Sequence, residues 1–181
     1  MRESYILDEM SATQTPELVA NWLGALAVAV VAVQREAVAE VGSDSRAAAM
    51  LTLQEFPQIP VGELADVLQL THSAGVRLVD GLGADGLVVR ARAESDSRRA
   101  ELTLTPAGRR IARRLQDHRI QALERFLSPL SSEERKHFGL LTERLLGGVA
   151  PDRITARNTC RYCHHRICDG PDCPIGGSVQ A

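Results

Sequence analysis

Four cysteines fall close together at the end of this 181-residue chain: Cys160, Cys163, Cys168 and Cys173, with His164 and His165 between the second and third. No other cysteine occurs in the sequence. The spacing C-x2-C-x4-C-x4-C can wrap four thiolates around one ion, and a closed tetrahedral sulfur set suits zinc or an iron–sulfur cluster. Asp169-Gly170-Pro171 and Pro174 supply turns for so short a loop. Three readings stand side by side. One is structural or regulatory zinc held by four cysteines. Another is an iron–sulfur cluster, or a thiol pair working as a redox switch. The third is a tail with unliganded thiols. Either histidine can replace a cysteine in the first two. Arg161 and Arg166 would favour a thiolate, and so both metal binding and oxidation, without separating them. A fixed structural disulfide does not suit a reducing cytosol. The ligand spacing is similar to a zinc knuckle with its third ligand changed to cysteine, although the glycines usual inside a knuckle are mostly absent.

The second chemically marked region is basic. The whole chain carries 21 basic and 23 acidic residues, a net charge of −2, which argues against a nonspecific nucleic-acid binder. Residues 77–114 are different, with nine arginines (Arg77, Arg90, Arg92, Arg98, Arg99, Arg109, Arg110, Arg113, Arg114) against five acids, a local balance of +4. Lys136 is the only lysine. An arginine-only basic set suits bidentate contacts to phosphate or guanine, and a biased genomic composition would produce it too.

The elements that must carry these residues read as mostly helical. Apolar residues make up 44% and aromatics 3%, so the core is expected to be Leu, Val and Ala. After an arm over 1–15, Thr15 and Pro16 open a helix over 17–41 that is apolar on nearly all sides up to Val33. A second copy of the chain is its natural neighbour, with an internal core helix the alternative. Asp44 or Ser45 caps a helix over 46–56, ended by Pro57. Residues 60–70 open a short helix, and Thr71 caps another over 72–85 with Gly75, Leu78, Val79 and Leu82 inward. Ser73, Arg77 and Asp80 then face outward. Strands are expected over 87–92 and 100–104, joined by the tip Glu94-Ser95-Asp96-Ser97. Thr105-Pro106 starts a helix running to 127, and Ser131 with Glu134 forms a capping box for the last one. Residues 150–159 read as a linker.

Two short helices, a turn and a hairpin make a winged helix-turn-helix, which lays its second helix in a DNA major groove. Polar side chains near that helix's N-terminal end can read base edges. Arg98 and Arg99, just past the tip, can reach a narrow A·T-rich minor groove, although a solvated hairpin would also carry scattered arginines.

With this layout the sequence resembles the MarR family (multiple antibiotic resistance regulators) over roughly 17–149. The specific segments are Leu64-Ala65-Asp66, Asp85-Gly86-Leu87-Val88, the wing's Asp96-Ser97-Arg98-Arg99, and Leu102-Thr103-Leu104-Thr105-Pro106-Ala107-Gly108. The resemblance implies a homodimer with two winged lobes on a helical base, binding a pseudo-palindromic double-stranded operator. It implies repression relieved by a small-molecule ligand or by oxidation. By the same resemblance Asp96 fixes the wing, Arg98 enters the minor groove, and Ser73, Ala74 and Arg77 face base edges or phosphates. Thr71, His72, Arg90 and Arg99 complete the expected DNA-facing set. The sequence departs from the pattern where Gly75, Gly81 and Gly83 enter the recognition helix, each costing about 0.5–1 kcal/mol relative to alanine. Such a helix depends on packing, or on DNA, to form fully.

The fold class expected is therefore mainly α (α+β), with terminal helices forming a dimerisation module. Its parts are an arm and dimerisation helix (1–43), the winged domain (44–104), two further dimerisation helices (105–149), and a linker with a metal-binding cysteine tail (150–181). The function expected is a sequence-specific DNA-binding transcriptional regulator, acting as a repressor. The alternative is a metal-binding interaction module that does not read DNA; Arg98 and Arg99 count against it. An enzyme is not expected: no nucleophile–base pair, phosphate loop or catalytic metal motif appears, and His72, His118 and His137 stand alone in helices. The longest uncharged apolar run, residues 22–33, falls short of the roughly 20 residues of a membrane span. No targeting segment is evident, so the expected location is the cytoplasm, without a membrane partner.

Overall fold

The computed structural model describes residues 14–92, 100–168 and 173–176. Helix α1 (Pro16–Ala37) is capped by Thr15, whose Oγ1 accepts the Leu18 amide at 3.3 Å. It stops short of residue 41: a 3-10 turn (Ala39–Val41) follows, and Gly42 at φ +91° reverses the chain. Helix α2 (Asp44–Glu55) is capped by Ser43 rather than by Asp44 or Ser45. Ser43 Oγ takes the Arg46 amide, while the Asp44 carboxylate is held by Arg35.

A two-residue strand, β1 (Ile59–Pro60), comes next and was not legible as a strand, being so short and proline-bearing. Helix α3 (Val61–Val67) ends before residue 70, where Gln69 takes φ +56° and the Leu70 amide bonds back to the Ala65 carbonyl. Thr71 then caps α4 (His72–Ala84), accepting the Ala74 amide on Oγ1 at 3.3 Å. Strands β2 (Val88–Arg92) and β3 (Ala100–Leu104) pair antiparallel, with Val88 opposite Leu104 and Arg90 opposite Leu102. Strand β1 adds to the other edge of β3, Ile59 facing Leu102, giving the order β1-β3-β2.

Helix α5 (Pro106–Phe126) starts on Thr105 and Pro106 as expected, and α6 (Ser132–Leu146) on the reciprocal Ser131–Glu134 capping box. Residues read as a linker instead form α7 (Arg153–Thr159), capped by Asp152. The architecture is mainly helical with one small antiparallel sheet.

One core gathers the winged unit. Met50, Leu51, Leu53, Leu64, Leu82, Leu102 and Leu115 are fully buried, joined by Val79 and Val88 from α4 and β2. Each such side chain contributes roughly 1.5–3 kcal/mol by leaving water. Two glycines permit the close approaches. A Cβ on Gly75 would stand 2.7 Å from the Ala65 Cβ, so α4 packs on α3 at the helix-turn-helix crossing only with glycine there. A Cβ on Gly108 would stand 2.1 Å from the Leu87 carbonyl oxygen, where α5 leaves the sheet. The glycine expected to weaken the recognition helix is thus also what seats it.

The outer helices contrast with this core. Neither α1 nor α6 has a buried residue. Trp22, Leu23, Val28 and Val31 on α1, and Leu140, Leu141 and Leu145 on α6, are exposed. Helix α1 is tied to α5 by Arg119 Nε donating to Gln34 Oε1 at 2.8 Å, and Arg114 on α5 pairs with Glu40 just beyond α1. At 22 residues α1 is also long and apolar enough, by length and composition, to cross a membrane. The 22–33 run understated this, because the helix continues past its uncharged stretch at both ends.

Candidate nucleic-acid interface and cysteine tail

The outward face of α4 follows from its inward stripe. Gly75, Val79 and Leu82 are buried and Leu78 packs against the core, which leaves His72, Ser73, Arg77 and Asp80 on the exposed side. Ser73 Oγ lies 3.3 Å from the capping Thr71 Oγ1, and Ala74 is half-buried. The start of α4 therefore presents small polar groups, the positive end of the helix dipole, and one guanidinium a turn later. Arg90, on β2, points to the same side and donates to Asp80 Oδ1 at 2.6 Å. Of the expected DNA-facing residues, Thr71, His72, Ser73, Ala74, Arg77 and Arg90 thus fall on one helix start and its neighbouring strand. Asp96, Arg98 and Arg99 lie outside the described residues.

Arginines elsewhere in the basic stretch support the scaffold. Arg109 donates to the Leu104 carbonyl at 2.6 Å, and Arg114 pairs with Glu40. Arg46, on α2, bridges the Val41 carbonyl and the Asp85 carboxylate and so holds the end of α4. Thr105 Oγ1 donates to the Gly86 carbonyl at 2.7 Å, fixing the turn into the wing.

The tail folds onto the winged lobe. On α7, Arg157 pairs with Glu63 of α3 and stacks over the Phe56 ring at 4.4 Å. Asn158 Nδ2 donates to the carbonyl of Val67, the last residue of α3, at 2.7 Å. Tyr162 donates its hydroxyl to the Asp44 carbonyl at 3.0 Å and accepts, on its own carbonyl, from Gln116 Nε2 of α5 at 3.1 Å. His164 and His165 stand 4.0 and 3.8 Å from the Glu55 carboxylate, and His165 meets Phe56 edge-on. The two histidines therefore face a carboxylate of α2. Of these docking residues only His164 and His165 were singled out from sequence, and as possible metal ligands rather than as partners of Glu55; Asp152 and Thr155 spell a helix start that would have revealed α7.

The other three thiols lie near Cys160. Cys160 donates to Cys163; that bond and the Arg119 guanidinium hold Cys163 down at about 7, against burial and the Glu55 carboxylate. Cys160 is pushed up by giving its proton to that bond, by burial, and by the nearby Cys163, Cys173 and Cys168. The Gly176 amide donates to Cys173 Sγ at 3.1 Å. Burial raises Tyr162 and lowers Arg119. Among the described residues no three Cys, His, Asp or Glu side chains form a ready-made metal cage. The donor chemistry fits a soft ion; the segment 169–172, between Cys168 and Cys173, lies outside the described residues.

Comparison with known proteins places this geometry. A model of the MarR family matches residues 43–99. An uncharacterized HTH-type transcriptional regulator of Bacillus subtilis (strain 168), YxaD, is 32% identical over 93 residues, which are 51% of this chain and 65% of that protein. The chain thus spans slightly less than two thirds of that relative. A transcriptional regulator of the MarR family from Silicibacter pomeroyi superposes with a TM-score of 0.57 at 27% identity, over 76% of this chain and 94% of that one. The YusO protein of Bacillus subtilis shares the fold, with a TM-score of 0.63 at 21% identity over 75% and 99% of the two chains. Those named for a role are transcriptional regulators.

Proposed function

We propose that this chain, whose residues 43–99 match a MarR-family model, is a homodimeric, sequence-specific repressor of that family. The observation that carries the DNA reading is the exposed start of α4, with Ser73 and Arg77 outward and Arg90 beside them on β2. Arg98 and Arg99 of the wing would add minor-groove or phosphate contacts, with Asp96 fixing the wing. In a dimer the two α4 helices would lie one helical turn apart, about 34–36 Å, and read a pseudo-palindrome.

The dimer reading rests on α1 and α6, where Trp22, Leu23, Val28, Val31, Leu140, Leu141 and Leu145 are left exposed by the described residues. A membrane span is the weaker assignment for α1, because Gln34 is bound by Arg119 and both helix ends are charged. The location that follows is the cytoplasm, where the operator is. A groove of about 720 Å³ between α1 and α5, lined by Val33, His118, Arg125 and Phe126 among others, offers room for a small-molecule effector.

For the tail, the reading is a metal site in which Cys160, Cys163, Cys168 and Cys173 hold zinc. Its support is the C-x2-C-x4-C-x4-C spacing together with the nearness of the other three thiols to Cys160. The same donors would accept an iron–sulfur cluster, and an absorption spectrum of anaerobically purified protein separates the two.

The test of the central reading is fluorescence anisotropy with the protein and DNA from upstream of its own gene. Nanomolar binding with a steep salt dependence, reduced by Arg77→Ala and by Arg98→Ala, is the expected result. Failure to bind at low salt, with the fold intact, would overturn it.

A further inference from the structure

The tail connects the reading lobe to the helical base at one short stretch. Tyr162 lies inside the Cys160–Cys163 loop. Its hydroxyl reaches the Asp44 carbonyl at the start of α2, and its carbonyl is held by Gln116, a side chain 1% exposed on α5. Two residues before the first thiol, Asn158 holds the carbonyl that ends α3, and Arg157 holds Glu63 near its start. Helices α2 and α3 belong to the winged unit, while α5 runs on to the base against α1.

We infer that the cysteine tail is a metal-responsive strut: zinc held by the four thiols fixes the 160–163 loop, and Tyr162 with Asn158 passes that constraint to the orientation of the winged lobe on α5. This rests on the reading of the tail as a metal site. The physical basis is that a Cys-x2-Cys pair gripping one ion fixes the backbone between its thiols. Here the residue so fixed bonds two separate helices at once. Without the ion, the loop keeps only its part-buried hydrogen bonds, each contributing modestly to net stability. In a dimer, a small change in lobe orientation is doubled at the spacing of the two α4 helices, and operator binding depends on that spacing. The output of the site is therefore DNA affinity.

The experiment uses the full-length protein, stripped of metal and titrated with Zn²⁺ alone. Zinc stoichiometry is read with a chromogenic chelator and operator affinity by anisotropy. Hydrogen exchange over residues 44–51 gives a readout that needs no DNA. In the wild type, one zinc per chain should slow exchange at the start of α2 and change operator affinity by about five-fold or more. The variant Tyr162→Phe/Asn158→Ala keeps all four thiols, so it should bind one zinc and lose both responses. Tyr162→Phe alone, the mildest change, should lose part of them while melting within a few degrees of the wild type. Cys163→Ser should lose the zinc and with it both responses. If the double variant answers zinc as the wild type does, the strut is overturned while the metal site stands. If the wild type takes up no zinc, the metal reading fails and the inference falls with it. Absent DNA binding with zinc-dependent exchange retained would sink the regulator reading alone.

Discussion

Arg90 on β2 donates to the Asp80 carboxylate on α4 at 2.6 Å, so the wing strand and the outer face of the recognition helix are joined by one ion pair. Both partners are substantially exposed, at 42% and 61% of their side chains, so the pair adds at most about 1 kcal/mol to stability. Its interest lies in competition. A DNA phosphate approaching this face meets an arginine that is already occupied and a carboxylate that repels it.

Asp80→Asn should therefore strengthen DNA binding several-fold and steepen its salt dependence, because Arg90 becomes available to phosphate as a repulsion is removed. Arg90→Ala should weaken binding in the same anisotropy assay while leaving thermal stability within about 1 kcal/mol of the wild type. An unchanged affinity for Asp80→Asn would place this pair away from the DNA.

Gly75→Ala sets two effects against each other. Alanine improves helix propensity by about 0.5–1 kcal/mol. Against this, its Cβ would lie 2.7 Å from the Ala65 Cβ, an overpacking that costs about 1–3 kcal/mol. The expected net result is destabilisation, read by urea denaturation, and Ala65→Gly in the same chain should restore part of the loss. A stabilised Gly75→Ala would show that the two helices can separate freely.

Val28 on α1 is 72% exposed, and Trp22, Leu23 and Val31 are exposed on the same helix. Val28→Asp would place a charge in the apolar surface assigned to the partner chain. Sedimentation should show a shift toward monomer, and operator affinity should fall with it as the two half-sites lose their linkage. A wild type that is already monomeric at micromolar concentration would refute the dimer assignment outright.

Asp152 gives the α7 cap an acid dependence. Its carboxylate accepts the Thr155 amide and hydroxyl, both at 2.9 Å, and these bonds hold its pKa below the usual carboxylate value. A depressed folded pKa means that the cap contributes fully above the unfolded Asp value, about 3.9, and is lost as pH falls through the lower folded value. The Thr155 amide shift in NMR should report that loss below pH 4. Asp152→Asn keeps an acceptor at the cap and should flatten the titration.

Local signals were sufficient for much of this chain. Thr15, Thr71 and Thr105 each cap the helix expected of them, and Ser131 with Glu134 makes the capping box, because these patterns act within one turn of backbone. Period-3.6 and period-2 spacing likewise separated helices from strands and placed Val79, Leu82, Leu102 and Leu104 in the core. The four cysteines were conspicuous by spacing alone.

What sequence left open involves partners distant along the chain. Strand β1 exists only because β3 offers Ile59 an edge. Gly75 reads as a cost to its own helix until Ala65, ten residues earlier in the chain, is brought against it. Above all, residues 150–159 looked like a tether, since nothing local says that Arg157 will find Glu63 or Tyr162 will find Asp44 and Gln116. Short-range patterns specify which elements form, because the energies involved are those of neighbouring backbone. Which elements meet, and therefore whether the cysteine tail hangs free or holds the reading lobe, is decided by packing across the whole chain.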